Sequence, residues 1–482
     1  MTLSTIAPYI GPVIGLTTSS TVRIMAGVKG NGTDKENTGY IRFKPKSIES
    51  WSTPKRFRFN KSFYYTGVIE LTGLTPSTRY EYQVVVASEE APVNEDMLNW
   101  EGHTIFQFNT LTTAPPEHFS FCFGSCMRHS RDGRFGKVLR KLSQLHSEAP
   151  VDFMLWLGDQ VYNDELMFLT PKNSTEADFK RRYNNFYNNK YVKNVVANIP
   201  NLMVIDDHEI ENSFTDGTNE YMERSTLFSR NNQERLINGM LAIYSYQLSH
   251  GPIFDTEPDN TQVGVSFVKG QKLNQVPVKH YEVVKFNDIG LFLLDTRKER
   301  DKDMFMSRAQ EKELIEFLDN QDLRVKLIAS SVTFLVDYKG KTPKKADNWL
   351  KAYKQRNRIL NHIIDNEISN IVFLSGDVHS HFATQLKVNG INRPIYQLVS
   401  GSLFWPTGYL MNRIRWSAEK VKYGQIYKAR DGFEVSKPLS ETTVDFFENN
   451  GLGYVEIDAD SLTFKVFNHE GKVAIKVTLD LA

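Results

Sequence analysis

The chain has 482 residues, of which 40% are hydrophobic and 24% charged, a composition normal for a globular protein. Its 58 basic and 57 acidic residues leave a net charge of +1, which gives no electrostatic footprint for nucleic acid or an anionic membrane. No apolar run is long enough to cross a bilayer, and the length favours two domains. The cysteines, Cys122 and Cys126, are too few for a disulfide scaffold.

Residues 1–115 are predicted to form an all-β domain. The predicted strands are Thr21–Ala26, Gly67–Leu71 and Tyr80–Ala87. Between the last two lies the turn Leu74–Thr78, and together with Tyr80 it resembles the Leu-x-Pro-x-Thr-x-Tyr signature of fibronectin type III sandwiches. We therefore expect an immunoglobulin- or fibronectin-like domain here, joined to the rest of the chain by the linker Thr112–Pro116.

Residues 116–482 are predicted to form a second domain of the α/β class, because short apolar strands alternate there with helical stretches. The predicted strands are Phe119–Phe123, Val151–Leu157, Leu202–Ile205, Leu291–Leu294, Val325–Ala329, Ile371–Leu374, Tyr454–Ile457, Leu462–Phe467 and Ala474–Leu479. Ser307 and Gln310 predict the N-terminal capping box of a helix. The segment Phe404–Val435 is expected to be a long loop or insertion.

Clusters of polar residues directly follow four of these strands. The clusters are Gly124-Ser125-Cys126, Gly158-Asp159-Gln160-Val161-Tyr162, Asp206-Asp207-His208-Glu209 and Ser375-Gly376-Asp377-Val378-His379. Each cluster alone fits a turn, a helix cap or a core side chain. Ligands bind outside the carboxyl ends of strands in α/β sheets, so four such ends carrying Cys, Asp, Tyr and His together predict a metal site.

Other catalytic templates find little support in the sequence. No Gly-x-Gly-x-x-Gly follows a strand, and neither a P-loop nor a Gly-x-Ser-x-Gly elbow is present. His208-Glu209 looks like the start of a zincin motif, but position 212 is Asn212 instead of the second histidine. Dehydrogenase, kinase and serine hydrolase functions are therefore disfavoured.

The four clusters resemble the motifs of the calcineurin-like metallophosphoesterases, and within them those of the alkaline phosphatase D family. Tyr162, three residues after Asp159, is a feature shared with purple acid phosphatases. Cys126 in place of the usual first Asp, Asp-Asp-His-Glu in place of Gly-Asn-His, and the segment Leu294–Arg297 are similar to the alkaline phosphatase D family. The resemblance implies a layered metallophosphoesterase β-sandwich flanked by helices, preceded by the all-β domain.

The resemblance also implies a dinuclear metal site and hydrolysis of phosphate monoesters or diesters by a metal-activated water. We expect Cys126, Tyr162 and His379 to hold the first ion, a ferric ion by resemblance, with Asp159 shared between both ions. Asp207 and Asp377 would hold the second ion. The expected metal ligands are therefore Cys126, Asp159, Tyr162, Asp207, Asp377 and His379. The expected catalytic residues are His208 as general acid, Asn212 on the phosphate or the second ion, and Arg297 on the phosphate; a structural role for Asn212 and Arg297 stays open.

One departure from purple acid phosphatases concerns the second ion. Those enzymes have a further histidine in a Val-x-x-His segment, whereas Val325–Ala329 is followed here by Ser330 and Ser331. An oxygen-rich site suits a hard ion such as calcium, as the resemblance also implies; other divalent ions stay open. Arg128, His280 and His381 are weaker candidates for the site.

Two other functions remain open at the level of the sequence: a binding protein on an inactive phosphatase scaffold, and a nuclease on the same scaffold. The near-zero net charge disfavours nucleic acid as a partner; a small or polymeric phosphate ester is the expected substrate, and the oligomeric state is open. Residues 1–16 lack the pattern of a signal peptide. The default expectation is a cytoplasmic protein, although a secreted chain with a trimmed N-terminus would have the same sequence.

Overall fold

The computed structural model describes residues 4–30, 38–87, 97–129, 134–164, 175–212, 214, 232–252, 280–301, 303–388, 391–406 and 418–481. Every residue predicted to belong to the site lies within these ranges. Of the predicted loop or insertion at Phe404–Val435, residues 407–417 lie outside them, and the remainder contributes short strands.

The N-terminal part consists of two packed β-sheets. Its strands are β1 (Thr5–Ile6), β2 (Ile10–Thr17), β3 (Thr21–Gly27), β4 (Thr38–Pro45), β5 (Lys55–Arg58), β6 (Thr66–Thr72), β7 (Arg79–Ala87) and β8 (Phe106–Asn109). One sheet has the order β1-β7-β4-β5 with β8 on β7, and the other has the order β2-β3-β6. Side chains from both sheets, such as Ile24 and Tyr82, share one buried core. The predicted strands lie within one residue of those observed.

Two larger mixed sheets form the centre of the remaining chain. Their strands are β9 (Phe119–Gly124), β10 (Phe153–Leu157), β11 (Asn201–Val204), β12 (Glu282–Phe286), β13 (Ile289–Leu293), β14 (Val325–Ser330), β15 (Asp337–Tyr338), β16 (Ile371–Ser375), β17 (His381–Val388), β18 (Ile391–Ser400), β19 (Val421–Lys422), β20 (Gly424–Gln425), β21 (Phe433–Val435), β22 (Phe446–Phe447), β23 (Gly451–Ile457), β24 (Ser461–Asn468) and β25 (Val473–Asp480), of which β15 and β19 pair separately. One sheet has the order β11-β10-β9-β23-β24-β25; the other runs β12-β13-β14-β16-β18-β17-β21-β20, with β22 on β17.

The two large sheets pack face to face, and helices cover their outer faces. The α-helices are α1 (Leu139–Glu148), α2 (Glu176–Tyr187), α3 (Lys190–Val196), α4 (Asn232–Ile243), α5 (Arg308–Asp319) and α6 (Tyr353–Asp365). Alternate side chains of a strand point to opposite faces, so Phe121 lies between the sheets whereas Cys122 packs beneath the helices. This helix–sheet–sheet–helix arrangement agrees with the predicted α/β fold class.

Helix α5 begins as predicted, but its capping box is only half formed. The Ser307 side chain accepts the backbone N–H of Gln310 at 3.2 Å, which satisfies one of the orphan donors of the first turn. The Gln310 side chain does not return to Ser307. Instead it accepts from the backbone N–H of Asp295 and donates to the Asp295 carbonyl, so it fixes the loop that carries Arg297.

The sheet topology brings the four polar clusters to one place. Strands β9, β10 and β11 are parallel neighbours, so the loops that follow them leave the same edge of the sheet. Strand β16, which carries the fourth cluster, belongs to the facing sheet and runs parallel to β14. The resulting crevice lies at the carboxyl ends of strands from both sheets, as predicted for a ligand site.

The N-terminal sheets share a continuous core with the helices beside β11. Ile10, Val13 and Met25 of the sandwich belong to the same buried cluster as Val195 and Met203. The two regions therefore pack tightly together. No helix among the residues described is long and apolar enough to span a membrane.

Candidate active site

Asp159 lies at the centre of the crevice and contacts its own cluster and two of the other three. Its Oδ2 atom accepts the Tyr162 hydroxyl at 3.1 Å and lies 3.6 Å from the Cys126 sulfur. Its Oδ1 atom accepts the backbone N–H of His208 at 3.2 Å. A carboxylate in this position has an oxygen for each side of the crevice, which fits the predicted bridging role.

Two groups of side chains within the described residues are arranged so that each could hold a metal ion. One consists of Asp159, Asp207 and His208, and the other of Asp159, Asp206 and Asp377, with the ligand atoms of each group within 4.8 Å of one another. Both groups contain Asp159, as expected for a ligand shared by two ions. Neither group reproduces a predicted ion site. The first contains His208, the predicted general acid, and neither Cys126 nor His379; the second contains Asp206, for which no role was predicted, in place of Asp207.

The Asp206 carboxylate is buried, and its two oxygens differ in their surroundings. Its Oδ1 atom accepts Arg297 Nε at 2.5 Å and the Ser331 hydroxyl at 2.7 Å. Its Oδ2 atom is buried and has no hydrogen-bond partner among the residues described. A buried carboxylate oxygen without a donor is costly, and a cation would satisfy it, so Asp206 joins Asp207 as a candidate ligand of the second ion.

Four of the predicted ligands have a left-handed backbone. The φ angles are 56° for Cys126, 56° for Asp159, 66° for Asp377 and 52° for His379. Residues other than glycine rarely adopt this region, and such strained positions cluster at functional sites. Gly158, before Asp159, is a glycine for a steric reason as well, because a Cβ there would lie 2.4 Å from the Asp206 Cβ. The loops are thus shaped to aim these side chains inward.

Burial makes the predicted ligands poor acids when no cation is bound. Burial and the neighbouring carboxylates raise the pKa values of Asp159 and Asp377 well above the usual range. The same causes raise the pKa values of the Cys126 thiol and the Tyr162 phenol. A bound cation would reverse these shifts, since it favours every anionic form. These side chains ionise readily only beside a cation. They therefore fit a metal centre with thiolate, phenolate, imidazole and carboxylate ligands.

Glu209, the last residue of its cluster, holds two of the loops by their backbones. Its carboxylate accepts the N–H groups of Asp159, Gln160 and Asp206 at 3.0, 2.8 and 2.8 Å. Burial raises the pKa of Glu209 to about 7. Glu209 belongs to the third predicted cluster, but its role could not be predicted, because backbone contacts leave no signal in residue spacing.

His208 forms a close pair with Asp164, a residue absent from the predicted site. His208 Nδ1 lies 2.8 Å from Asp164 Oδ1, and the other Asp164 oxygen accepts the backbone N–H of Asn212 at 2.8 Å. The imidazole also lies against the Tyr162 ring, with 4.2 Å between ring centroids. Since Nδ1 faces a carboxylate, Nε2 is the nitrogen that remains for a reacting group. The Asn212 side chain itself is exposed at this edge.

The Arg297 side chain is fully buried, and carboxylates occupy its guanidinium. Its guanidinium donates to Asp206 and forms a two-pronged pair with Asp347, with N–O distances of 2.9 and 3.2 Å. Arg300 contacts the same Asp347 carboxylate at 2.6 Å. Although burial opposes ionisation, these two arginines hold the pKa of Asp347 at about 2. This geometry favours a positioning role for Arg297, which holds Asp206. It disfavours the predicted contact between Arg297 and phosphate.

Trp405 covers the ligands predicted for the first ion. Its ring stacks on His379 with 3.8 Å between centroids and meets Tyr162 edge-on at 5.7 Å. The Arg128 guanidinium lies 5.3 Å from the Trp405 ring centroid. Asn450 accepts the backbone N–H of Trp405 at 2.8 Å and donates to its carbonyl at 3.1 Å. The loop after β18 therefore contributes an aromatic wall that motif spacing could not predict.

Comparison with known proteins places this arrangement in a family. Residues 121–466 match the model of the family described as PhoD-like phosphatase. The chain belongs to the PhoD-like phosphatase family. The matched range runs from β9 to β24 and so includes all four strand ends with predicted ligands. The family predicted from the motifs is confirmed.

Two relatives illustrate how far the likeness to other PhoD-like proteins extends. Alkaline phosphatase D of Bacillus subtilis (strain 168) is 21% identical over 331 residues, which make up 67% of this chain and 54% of that protein. The chain thus spans about half the length of this curated relative. The solved structure of PhoD matches with a TM-score of 0.69 and 16% identity, covering 100% of this chain and 92% of its own. At that identity the match shows a shared fold, and the shared fold includes the N-terminal sandwich.

Proposed function

We propose that this PhoD-like protein is a metal-dependent phosphoesterase of the calcineurin-like superfamily, acting on phosphate monoesters or diesters. The observation that carries the proposal is the convergence of four strand-end clusters on Asp159, with two candidate metal groups that share this residue. Membership of a phosphatase family supports the same reaction class. The partly buried pair of His208 and Asp164 beside those groups favours an enzyme over an inactive binding protein, because it places a nitrogen that can carry a proton next to them.

We infer that Cys126, Tyr162 and His379 would hold one ion and that Asp159 would be a ligand of both ions; the family resemblance supports a ferric ion in the first position and calcium in the second. The second ion would use Asp377 together with Asp207, Asp206 or both. When bound, such ions polarise the phosphoryl group and supply a nucleophile at neutral pH.

The residues of the chain divide the remaining work between them. His208 protonates the leaving oxygen from Nε2, because its Nδ1 is held by Asp164. Trp405 limits the movement of His379 by stacking on its ring. Arg128 is half-buried, and its guanidinium lies against the Trp405 ring. We assign the phosphate contact to Arg128 because it lies beside the aromatic ring that stacks on His379, whereas Arg297 positions Asp206.

The proposed function is tested by one experiment on the purified full-length protein. Metal content is measured by elemental analysis, and turnover is measured on p-nitrophenyl phosphate, bis(p-nitrophenyl) phosphate and single-stranded DNA. We expect two metal equivalents, hydrolysis of at least one ester, and loss of hydrolysis after chelation. Stoichiometric metal without turnover of either ester would contradict the enzyme and favour a binding protein; rapid cleavage of single-stranded DNA alone would favour a nuclease.

The ferric assignment predicts a coloured protein. Thiolate and phenolate bound to a ferric ion give charge-transfer absorption in the visible, so we expect colour that fades on reduction. Cys126→Ser and Tyr162→Phe should each shift or weaken the band, whereas Asp377→Asn, which changes the other ion, should leave it largely intact. Visible absorption spectra of the isolated variants check this expectation. An iron-free, colourless protein that is fully active with zinc or manganese would contradict the ferric ion and leave the hydrolase intact.

The assignment of the phosphate contact to Arg128 predicts a difference between two arginines. Arg128→Ala should raise KM by about tenfold, the equivalent of about 1.4 kcal/mol for one charge-assisted contact, with metal content unchanged. Arg297→Ala should instead lower metal content, because it frees Asp206 and Asp347. Arg430→Ala is a matched control, since Arg430 lies 5.7 Å from the Phe433 ring on a distant surface. A normal KM in Arg128→Ala would contradict the assignment.

A further inference from the structure

A short π-helix lies directly behind the candidate metal centre. It spans Tyr244–Leu248 and continues α4 after Ile243. Widened turns of this kind are rare and occur frequently at functional sites. Here the π-helix carries Gln247, which is buried, towards the loops that follow β10 and β11. We call the segment Tyr244–His250 the π-segment.

Gln247 joins the two loops that carry the central ligand. Its side-chain amide donates to Gln160 Oε1 at 2.7 Å and to Glu209 Oε1 at 3.1 Å. Glu209 in turn accepts the backbone N–H groups of Asp159 and Asp206. One residue, Glu209, therefore links Gln247 to the backbones of two candidate metal ligands, through two successive hydrogen bonds.

The side chains in these contacts are buried, so water cannot replace a hydrogen bond that is lost. Gln160, Glu209 and Gln247 are all nearly inaccessible to solvent. A buried carboxylate needs its full set of donors, and removing one leaves an acceptor with the cost of desolvation. Loss of the Gln247 amide would therefore loosen Glu209, and through it the backbone that places Asp159.

The N-terminal sandwich holds the other end of the π-segment. Arg23 in β3 donates to the Ser249 carbonyl at 2.7 Å, and the backbone N–H of Leu16 in β2 donates to the His250 carbonyl at 2.9 Å. Gly15 leaves no spare room, since a Cβ there would lie 1.7 Å from the His250 carbonyl oxygen. The sandwich thus binds the π-segment through hydrogen bonds to two main-chain carbonyls, and its backbone packs closely against His250 at Gly15.

We propose that the N-terminal sandwich is a working part of the metal centre, and that Gln247 is the positioning residue through which it acts. The path runs from Gly15 and Arg23 to the π-segment, from Gln247 to Glu209, and from Glu209 to the backbone of Asp159. This proposal concerns how the metal-binding loops are held. It rests on the proposed function only in that it takes these loops to be the metal site.

The first test uses Gln247→Met, which keeps the volume of the side chain and removes its donor. We expect the backbone amides around Asp159 and Asp206 to exchange with solvent about tenfold faster or more in the metal-free protein, as in a local opening. Hydrogen exchange followed by mass spectrometry measures this without any need for turnover. Loss of metal to a chelator should also be about tenfold faster, the range known for residues that support metal ligands.

The second test acts from within the sandwich. Gly15→Ala should displace the π-segment and reproduce the faster exchange around Asp159, although Gly15 is in another region of the fold. Gly39→Ala is the matched control: its Cβ would lie 2.5 Å from the Phe57 ring, so it strains the β4–β5 pair of the sandwich without touching the π-segment. We expect Gly39→Ala to lower the melting temperature but to leave exchange around Asp159 unchanged.

The outcomes separate this inference from the proposed function. Faster exchange in Gln247→Met and Gly15→Ala, but not in Gly39→Ala, supports the coupling even if no ester is hydrolysed. Equal exchange in all three variants and the parent protein would overturn it, even if the protein is an active phosphoesterase. Equal acceleration in Gly15→Ala and Gly39→Ala would also overturn it, because general destabilisation of the sandwich would then explain the effect.

Discussion

Replacing Asp159 by asparagine should remove both metal ions and lower turnover by about a thousandfold or more. The change keeps the shape of the side chain but removes the charge that both candidate metal groups share. Metal ions contribute several kcal/mol of transition-state stabilisation, and each 1.36 kcal/mol is a factor of ten in rate. Elemental analysis and turnover of bis(p-nitrophenyl) phosphate check the two expectations separately.

The same substitution should stabilise the metal-free protein. Burial and nearby carboxylates raise the pKa of Asp159 well above its unfolded value, so an ionised Asp159 penalises the folded state. This penalty is absent below the unfolded pKa and grows as the pH rises above it. In the presence of a chelator, Asp159→Asn should therefore melt at a higher temperature than the parent protein at pH 8, with a smaller difference at pH 5.

Asp152→Asn provides a matched control for Asp159→Asn. Burial raises the pKa of Asp152 to about 6, and its carboxylate accepts the backbone N–H of Ser120 near the start of β9, away from the crevice. This variant should keep its metals and its turnover. Two metal equivalents and normal turnover in Asp159→Asn would instead show that Asp159 does not bridge the ions.

The strands that carry the site could be predicted from the sequence, because they are short, apolar and followed by polar clusters. β9, β10, β11 and β16 lie within two residues of their predicted limits. β17 and β18 were not predicted as strands, since their buried polar residues, such as His381 and Gln397, interrupt the apolar pattern. The pairing of two facing sheets was implied by the family resemblance, not by periodicity.

The residues that the sequence analysis missed reach the site through tertiary contacts. Trp405 lies at the site because the backbone of the neighbouring Phe404 pairs with that of Arg128. Gln247 lies on a π-helix, which no residue pattern predicts. The choice between Asp206 and Asp207 depends on which way each of two adjacent side chains points. That direction is set by the loop and by Arg297, and neither can be derived from motif spacing.

His208→Ala should slow the hydrolysis of esters with poor leaving groups by about 10²–10⁴-fold while the protein keeps its metals. The reason is that His208 Nε2 is the nitrogen left to protonate the leaving oxygen, with Nδ1 held 2.8 Å from Asp164. The loss should shrink for p-nitrophenyl esters, because p-nitrophenolate needs little protonation. Comparing alkyl and p-nitrophenyl substrates by kcat/KM checks this expectation; an equal loss for both would mean that His208 is structural.

Asp164→Asn should reproduce part of the His208→Ala defect and move the pH profile. In the metal-free protein, burial lowers the pKa of His208, but the carboxylates of Asp207, Asp159 and Asp164 raise it well above its usual value. Of these three, only Asp164 has no predicted role as a metal ligand, so its charge acts on His208 with the ions bound as well. Removing one of these charges lowers the pKa, so the alkaline limb of the rate profile should shift to lower pH, because a general acid is active only while protonated. His362 and Asp319 form a surface pair at 2.6 Å, and Asp319→Asn is therefore a matched control that should leave the profile unchanged. An alkaline limb at the same pH in Asp164→Asn and the parent protein would show that Asp164 does not set the pKa of the general acid. Its role would then be to hold the backbone of Asn212.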